Sequence, residues 1–484
     1  MKIINFELKI EKLTVLTFIF IFAVSFALFY PSLNYYFFQD DWFHFNISNA
    51  KNLDEFLDFF IFRQDIIGWR PIPKQVFFFL IQTIFKMNPL IAHLLIFAFF
   101  MGTILFIYFL TKLVLNDSRA GLIASFLYST AAFHFISLSW VSAGENIIGT
   151  FFFVAAAYFF FSFFKNKKSV FYILSYLFFT MSLASTEFAI TWPLFIFFIW
   201  FILNPKLKSD KFLKILKYIT PTILLIIIYL IFRFVVFQLP AKADYQIVIN
   251  LKAFNTLFWY ILWFLNLPEV LKYHFLLTDF SLTKEFVGAF KFYLKPTILF
   301  FSLTLFALFV LTANNFRKNM SLAAITFFTF TTSLFPVLFL PLHTFPYYLS
   351  IPSVAVFIFF SYLIIKSLKK SGRYVLPAII FLVSWYFISS LSLSFTKKTH
   401  WVTGEENISR EVVTLAKSKY PTLPENSTIV LYPTDNTVKQ SLMDQNAMRV
   451  IYNDPTLKTI YVSSVNEIES EQKNVYILKL DPIF

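Results

Sequence analysis

Cysteine is absent from the 484 residues, which excludes disulfides, thiolate metal sites and cysteine nucleophiles. Charge is scarce too. Asp, Glu, Lys and Arg make up 14% of the chain while 58% is hydrophobic, and a soluble globule could not cover such a core with so little polar surface. Glycine occurs only 8 times, and the polar C-terminal part contains no Gly-rich phosphate loop, metal-ligand spacing or nucleophile elbow. No internal repeat is evident. What abounds is Phe, at 72 residues, and its stripes read as lipid-facing or core packing.

The chain reads as a polytopic membrane protein. Apolar runs of about 16 to 23 residues, long enough to cross a hydrocarbon core, predict eleven spanning helices near 13–30, 90–111, 119–137, 145–164, 170–185, 188–203, 215–237, 294–313, 321–341, 349–366 and 374–395. The +14 net charge suggests nucleic acid until it is located. It sits mostly in short loops, at 1–12, 112–119, 165–168, 206–217, 317–318 and 366–373, which alternate onto one face that the positive-inside rule makes cytoplasmic. No nucleic-acid partner is expected; the bilayer is. An odd number of spans starting inside puts the C-terminus outside, and so many later spans make the first an uncleaved anchor.

Two outward stretches, 31–89 and 238–293, are too long for simple loops. In the first, Leu53, Phe56, Leu57 and Phe60 recur at helical spacing behind an Asn52/Glu55 capping box, the pattern of a helix lying in the interface plane. The run 76–85 is too short to span and reads as a second such helix, and 252–267 as a re-entrant or interfacial segment. From residue 396 the composition turns polar, with expected helices at 405–418 and 438–450 and strands at 427–432, 459–463 and 474–480. The division is thus a membrane domain, 1–395, and a small α/β domain, 396–484, outside the membrane. Three N-x-S/T matches, at Asn46, Asn407 and Asn426, are what chance supplies in an Asn-rich chain.

Within the first outward stretch, Gln39-Asp40-Asp41-Trp42-Phe43-His44 places two adjacent carboxylates directly after the first span. Acids at a membrane exit commonly do chemistry or bind a cation; otherwise they form a solvated turn. Glu145 occupies a tight outward turn, and His44, close to the acids, is placed to tune them. His93, His134 and His343 are scattered and make no metal pattern. No metal is assigned.

The order of these features resembles the GT-C superfamily of polyprenyl-phosphate-dependent membrane glycosyltransferases, especially the TMTC-type protein O-mannosyltransferase branch and its bacterial relatives. Asp40-Asp41 looks like the acidic motif of the family's first external loop, and Trp69-Arg70-Pro71 like its Arg-Pro step. The His93 segment and the runs 131–141, 183–191 and 343–352 resemble later blocks. Thr186 stands where that branch usually has Lys, and Pro346 near where it often has Arg. The resemblance implies an all-α GT-C-like membrane fold, a polyprenyl-phosphate-linked sugar donor, a hydroxyl acceptor on protein, lipid or glycan, and no cofactor. It places the catalytic base in Asp40 or Asp41, Asp40 being slightly preferred. One base suffices, because phosphate is already a good leaving group. Arg70 and Arg233, two of few outward cations, are then candidates for the donor phosphate, with Glu145, His44 and His93 as further substrate-binding residues. Arg at mid-membrane depth costs about 2.5 to 3.5 kcal/mol, which a lipid phosphate near Arg233 would offset. A transporter or flippase, and an envelope polysaccharide polymerase or ligase, are the rival readings.

Overall fold

The computed structural model describes residues 2–62, 66, 68–203, 209–236, 245–276, 281–313, 316–463 and 474–480. The basic loop expected at 206–217, the outward stretch 238–293 and the end of the C-terminal segment therefore lie partly outside the described residues.

Among the described residues, seven helices are long and apolar enough to cross a membrane: Lys12–Asn34, Pro89–Leu115, Ser142–Asn166, Leu213–Val236, Lys284–Ala313, Pro352–Lys370 and Gly372–Thr399. Ser169–Leu183 and Glu187–Leu203 are apolar but shorter, and the run expected at 321–341 forms Phe316–Ser333. The segment expected at 119–137 is a pair, Ser118–Ser129 and Ala132–Ser139, bent by 54°. By length and composition seven spans qualify, or eight with the bent pair, against the eleven expected. The apolar segments are where the hydropathy put them; breaks and turns shorten several.

The bend at 130–131 frees backbone groups that lipid could not satisfy. Neighbouring helices do so instead. Ser25 Oγ donates to the Ser129 carbonyl at 3.2 Å, Ser389 Oγ to that of Thr130, and Ala132 N donates to Asn266 Oδ1 at 2.7 Å. Similar bonds tie other helices: Ser182 Oγ to the Gly149 carbonyl at 3.0 Å and Ser175 Oγ to that of Ala156 at 2.9 Å. Small polar side chains hold membrane helices together because lipid supplies no hydrophobic drive between them. Gly149 is needed for this approach, since an added Cβ would meet Thr186 Cγ2 at 2.5 Å.

The cap forms, but with its return bond shifted by one residue: Asn52 Oδ1 accepts from Glu55 N at 2.9 Å, while Glu55 Oε2 accepts from the N–H of Lys51, the residue before the cap, at 2.8 Å. The helix it starts is short, Leu53–Leu57, and ends in a 3-10 turn. The second short helix, Phe77–Thr83, follows a π turn, Ile72–Val76. Lys252–Phe264 has 13 residues, about 20 Å at 1.5 Å per residue, too short to span.

Val375–Thr399 stops at His400, whose Nδ1 accepts from Val402 N at 3.3 Å as the cap of Trp401–Lys419. Beyond it Thr428–Tyr432 is the middle strand of a parallel sheet, flanked by Lys458–Tyr461 and Val475–Lys479. The three strands fall within about a residue or two of the runs expected at 427–432, 459–463 and 474–480. The helix expected at 438–450 is two, Asn436–Ser441 and Asn446–Tyr452, because Met443 and Asp444 take positive φ between them.

Candidate functional site

The first span closes in a 3-10 turn, Tyr30–Asn34, and the chain then runs extended to Gln39. There φ is 48° and ψ −127°, a conformation costly for any residue with a Cβ. It turns the backbone into the helix Asp40–Ile47, with both acids in the first turn, where helix amides and dipole favour negative charge.

The two acids differ. Asp41 is fully buried and accepts three hydrogen bonds: from Ser142 N at 2.7 Å, from Ser142 Oγ at 2.5 Å and from Phe38 N at 3.2 Å. It joins the first loop to the 3-10 turn Ser142–Gly144 that opens Ser142–Asn166. Burial pushes its carboxyl up to about 7 despite these donors, and Asp40 nearby adds to the rise. Asp40 itself is partly exposed.

From Ser142 a polar chain runs on. Its carbonyl accepts from Lys74 Nζ at 3.2 Å, and Lys74 Nζ lies 3.1 Å from Glu145 Oε2. Glu145 also pairs with Arg70, and Arg70 Nη2 reaches Glu187 Oε2 at 2.7 Å. Gly68, at φ 87°, keeps the loop close enough for this, because a Cβ there would lie 2.9 Å from Glu187 Oε1. The Arg233 charge acts on Glu187 from beyond, beside an aromatic groove in which Phe62 stacks on Trp69 with centroids 4.7 Å apart and on Phe232 at 5.4 Å. Arg233 sits in a π turn, Phe232–Val236, that follows the helix Ser209–Ile231. The turn 343–349 lies over this region: Tyr348 OH is 2.8 Å from His343 Nε2, and its ring stacks on Phe188.

Asp41, Glu145 and Arg70 are thus brought together, with Asp40 adjoining Asp41 and Arg233 at the far end. Two expectations need correcting. Arg70 does not present an open guanidinium to a phosphate, since Glu145 and Glu187, 75 and 117 residues away in sequence, engage it; counting outward cations could not reveal its partners. His93 is in the core, 1% exposed, with Nδ1 2.9 Å from the Leu138 carbonyl, so it pins a loop rather than lining a substrate wall. His44 packs on Phe78 at 5.2 Å, and burial, with the charges of Lys74 and Arg70, holds its imidazole well below the usual range. Sequence reasoning missed Lys74 as a member of the network, though it follows Arg70 by four residues and its backbone N donates to the Arg70 carbonyl at 3.1 Å. Among the described residues no three His, Asp or Glu side chains are grouped to hold a metal ion.

No family model matches the sequence, and no curated protein matches it. Among solved structures, the archaeal oligosaccharyltransferase AglB from Archaeoglobus fulgidus, in complex with an inhibitory peptide and a dolichol-phosphate, superposes with a TM-score of 0.50 at 13% identity. The match covers 93% of this chain. The chain has the GT-C fold. The apo form of an oligosaccharyltransferase from the same organism matches at a TM-score of 0.48 and 11% identity. In both comparisons the chain spans 64% of the length of the solved protein.

On this GT-C fold the acidic helix is also covered by the C-terminal segment, a neighbour the sequence did not disclose. Trp42 Nε1 donates to Ser409 Oγ at 2.9 Å, Tyr36 N to Glu406 Oε2 at 3.0 Å, and Gln39 Nε2 to Glu405 Oε2.

Proposed function

We propose that this protein is a membrane glycosyltransferase, a hexosyltransferase that moves a sugar from a polyprenyl-phosphate donor onto a hydroxyl acceptor on the outer face. The observation that carries the reading is the separation of the two first-loop acids on a GT-C fold. Asp41 is locked by three donors, while Asp40 keeps contact with solvent beside it. The buried acid holds architecture; the accessible one is suited to take a proton.

In the proposed step the acceptor oxygen attacks the anomeric carbon as the bond from that carbon to the phosphate oxygen breaks. The hydroxyl proton passes to Asp40, and the lipid phosphate leaves with the bonding pair. Direct displacement inverts the anomeric centre. Arg233, in the π turn next to the aromatic groove, holds the phosphate. Arg70 holds Glu145 and Glu187 in place, and those acids orient hydroxyls. The solved AglB complex contains a dolichol-phosphate and a peptide, which supports a lipid-phosphate donor and leaves a peptide among the candidate acceptors. A transporter draws less support, because the ionisable groups of the network gather at one end of the helices rather than along a path through them.

We place residues 1–395 in the membrane domain and 396–484 outside the membrane, with the N-terminus cytoplasmic. The ion pair of Lys369 with Asp117, at 2.8 Å, supports two basic loops sharing the opposite end. With no native cysteine, single-Cys labelling by an impermeant reagent is clean, and Leu53→Cys and Lys439→Cys, both at exposed positions, should react from outside. For activity, the test is transfer from a polyprenyl-phosphate hexose in proteoliposomes to peptide and lipid acceptors, read by mass spectrometry. Transfer by the wild type that Asp40→Asn abolishes supports the reading; no product with any hexosyl donor counts against it.

A further inference from the structure

The 401–419 helix meets the acidic loop along one face. Thr403, Glu406 and Ser409 recur every third residue, and each touches the first loop: Thr403 Oγ1 lies 2.9 Å from Tyr35 OH, Glu406 accepts from Tyr36 N, and Ser409 Oγ donates to the Phe37 carbonyl at 2.7 Å. Glu405, between them, is 7% exposed and accepts from the Gln39 side chain, 366 residues away in sequence. Gln39 is gripped from a second side as well, its backbone N–H donating to the Ser441 carbonyl at 2.8 Å. This is the residue with the positive φ whose turn launches Asp40. Such a backbone state persists only where its surroundings over-determine it. Here the surroundings come from the C-terminal segment.

We infer that Glu405 is a positioning residue for this site: through Gln39 it holds the turn that aims Asp40, making the C-terminal segment a working part of the catalytic centre. The inference rests on the assignment of Asp40 as the base. It differs from a role in acceptor recognition, which would leave the turn indifferent to Glu405. Local geometry favours the clamp, because the polar atoms of Glu405 and Ser409 are directed at the loop backbone and at Gln39 and Trp42.

Three variants test it. Glu405→Gln keeps a carbonyl oxygen for Gln39 Nε2; Glu405→Ala removes it. A third combines Glu405→Ala with Asn46→Cys and Asn446→Cys, positions whose side chains are bonded at 2.9 Å, so that oxidation tethers the loop to the segment. Expected is a kcat lowered by about 10- to 100-fold in Glu405→Ala, the scale of a displaced catalytic group, with donor and acceptor KM within about 3-fold. Glu405→Gln should retain most of the activity, and the tether should restore part of it to the alanine variant. Hydrogen exchange at 38–42 should rise in Glu405→Ala while the helix 401–419 stays protected. Unchanged exchange at 38–42 would overturn the inference whatever the activity, as would a defect confined to acceptor KM. Raised exchange together with a fully active Asp40→Asn variant would instead overturn the base assignment, and with it the positioning role, while showing the clamp to be structural.

Discussion

The two ends of the polar network are built differently. At the acid end, Asp41 is buried and bonded on every side, and the strained Gln39 turn is held by a separate segment of chain. At the cation end, Arg233 lies half-buried in a π turn among exposed Phe232, Phe234, Val235 and Val236. Arg70, between them, is already matched by two carboxylates. The difference teaches that the acid end is preorganised by distant parts of the chain, and under the proposed function, where such an end meets a developing charge, the cation end is the one that a lipid-borne ligand would complete. Cost follows the same division: disturbing the acid end should affect rate and folding, and disturbing Arg233 should affect binding alone.

The largest expected effect is that of Asp40→Asn, which keeps size and hydrogen bonding but cannot accept the proton. Loss of general-base help costs about 10² to 10⁴ in rate, so single-turnover transfer should fall by that factor with unchanged thermal stability. Near-normal transfer would erase the functional distinction between the two acids and leave both with a structural role only.

Arg70→Gln comes next and should act on folding. It strands Glu145 and Glu187, and breaking a buried pair from one side costs about 3 to 5 kcal/mol; with Lys74 still on Glu145 and Arg70 partly exposed, the lower figure is expected. A variant with normal stability in detergent but a raised donor KM would place Arg70 at the cation end after all.

A pH effect separates Asp41 from its neighbour. Its carboxyl sits near 7 when folded, against an ordinary value of 3.8. A raised acid favours the folded state fully below the unfolded value, and that contribution is lost as pH rises through the folded value. Melting of the wild type should therefore fall more between pH 4 and 7 than melting of Asp41→Asn, which has no proton to lose there. Parallel curves for the two proteins would show that the three donors keep Asp41 ionised throughout.

Arg233→Leu should be the mildest. Stability should stay within about 0.5 kcal/mol, as for other surface substitutions, while donor KM rises several-fold. Unchanged KM would assign Arg233 to interfacial anchoring and leave the cation end without a ligand.

Much of the architecture follows from sequence alone, for a physical reason: the length of an apolar run, the period of its side chains and the chemistry of its caps are local quantities. They sufficed for the membrane class, the positions of the apolar helices, the Asn52 cap, the three strands and the place of two adjacent acids just after the first span. The bend at 130–131 was not legible, because its compensating groups, Ser25, Ser389 and Asn266, come from three other segments. Nor could the sequence tell Asp40 from Asp41. Adjacent residues share a local pattern, and only Ser142, 101 positions away, buries one and leaves the other at the surface. The same holds for Arg70, whose scarcity as an outward cation was visible while its two carboxylate partners were not, and for Glu405, an unremarked acid in a polar helix until folding set it against Gln39. Solvation by lipid acts along the chain and is written in composition; the pairing of distant polar groups acts through space, and only the tertiary structure decides it.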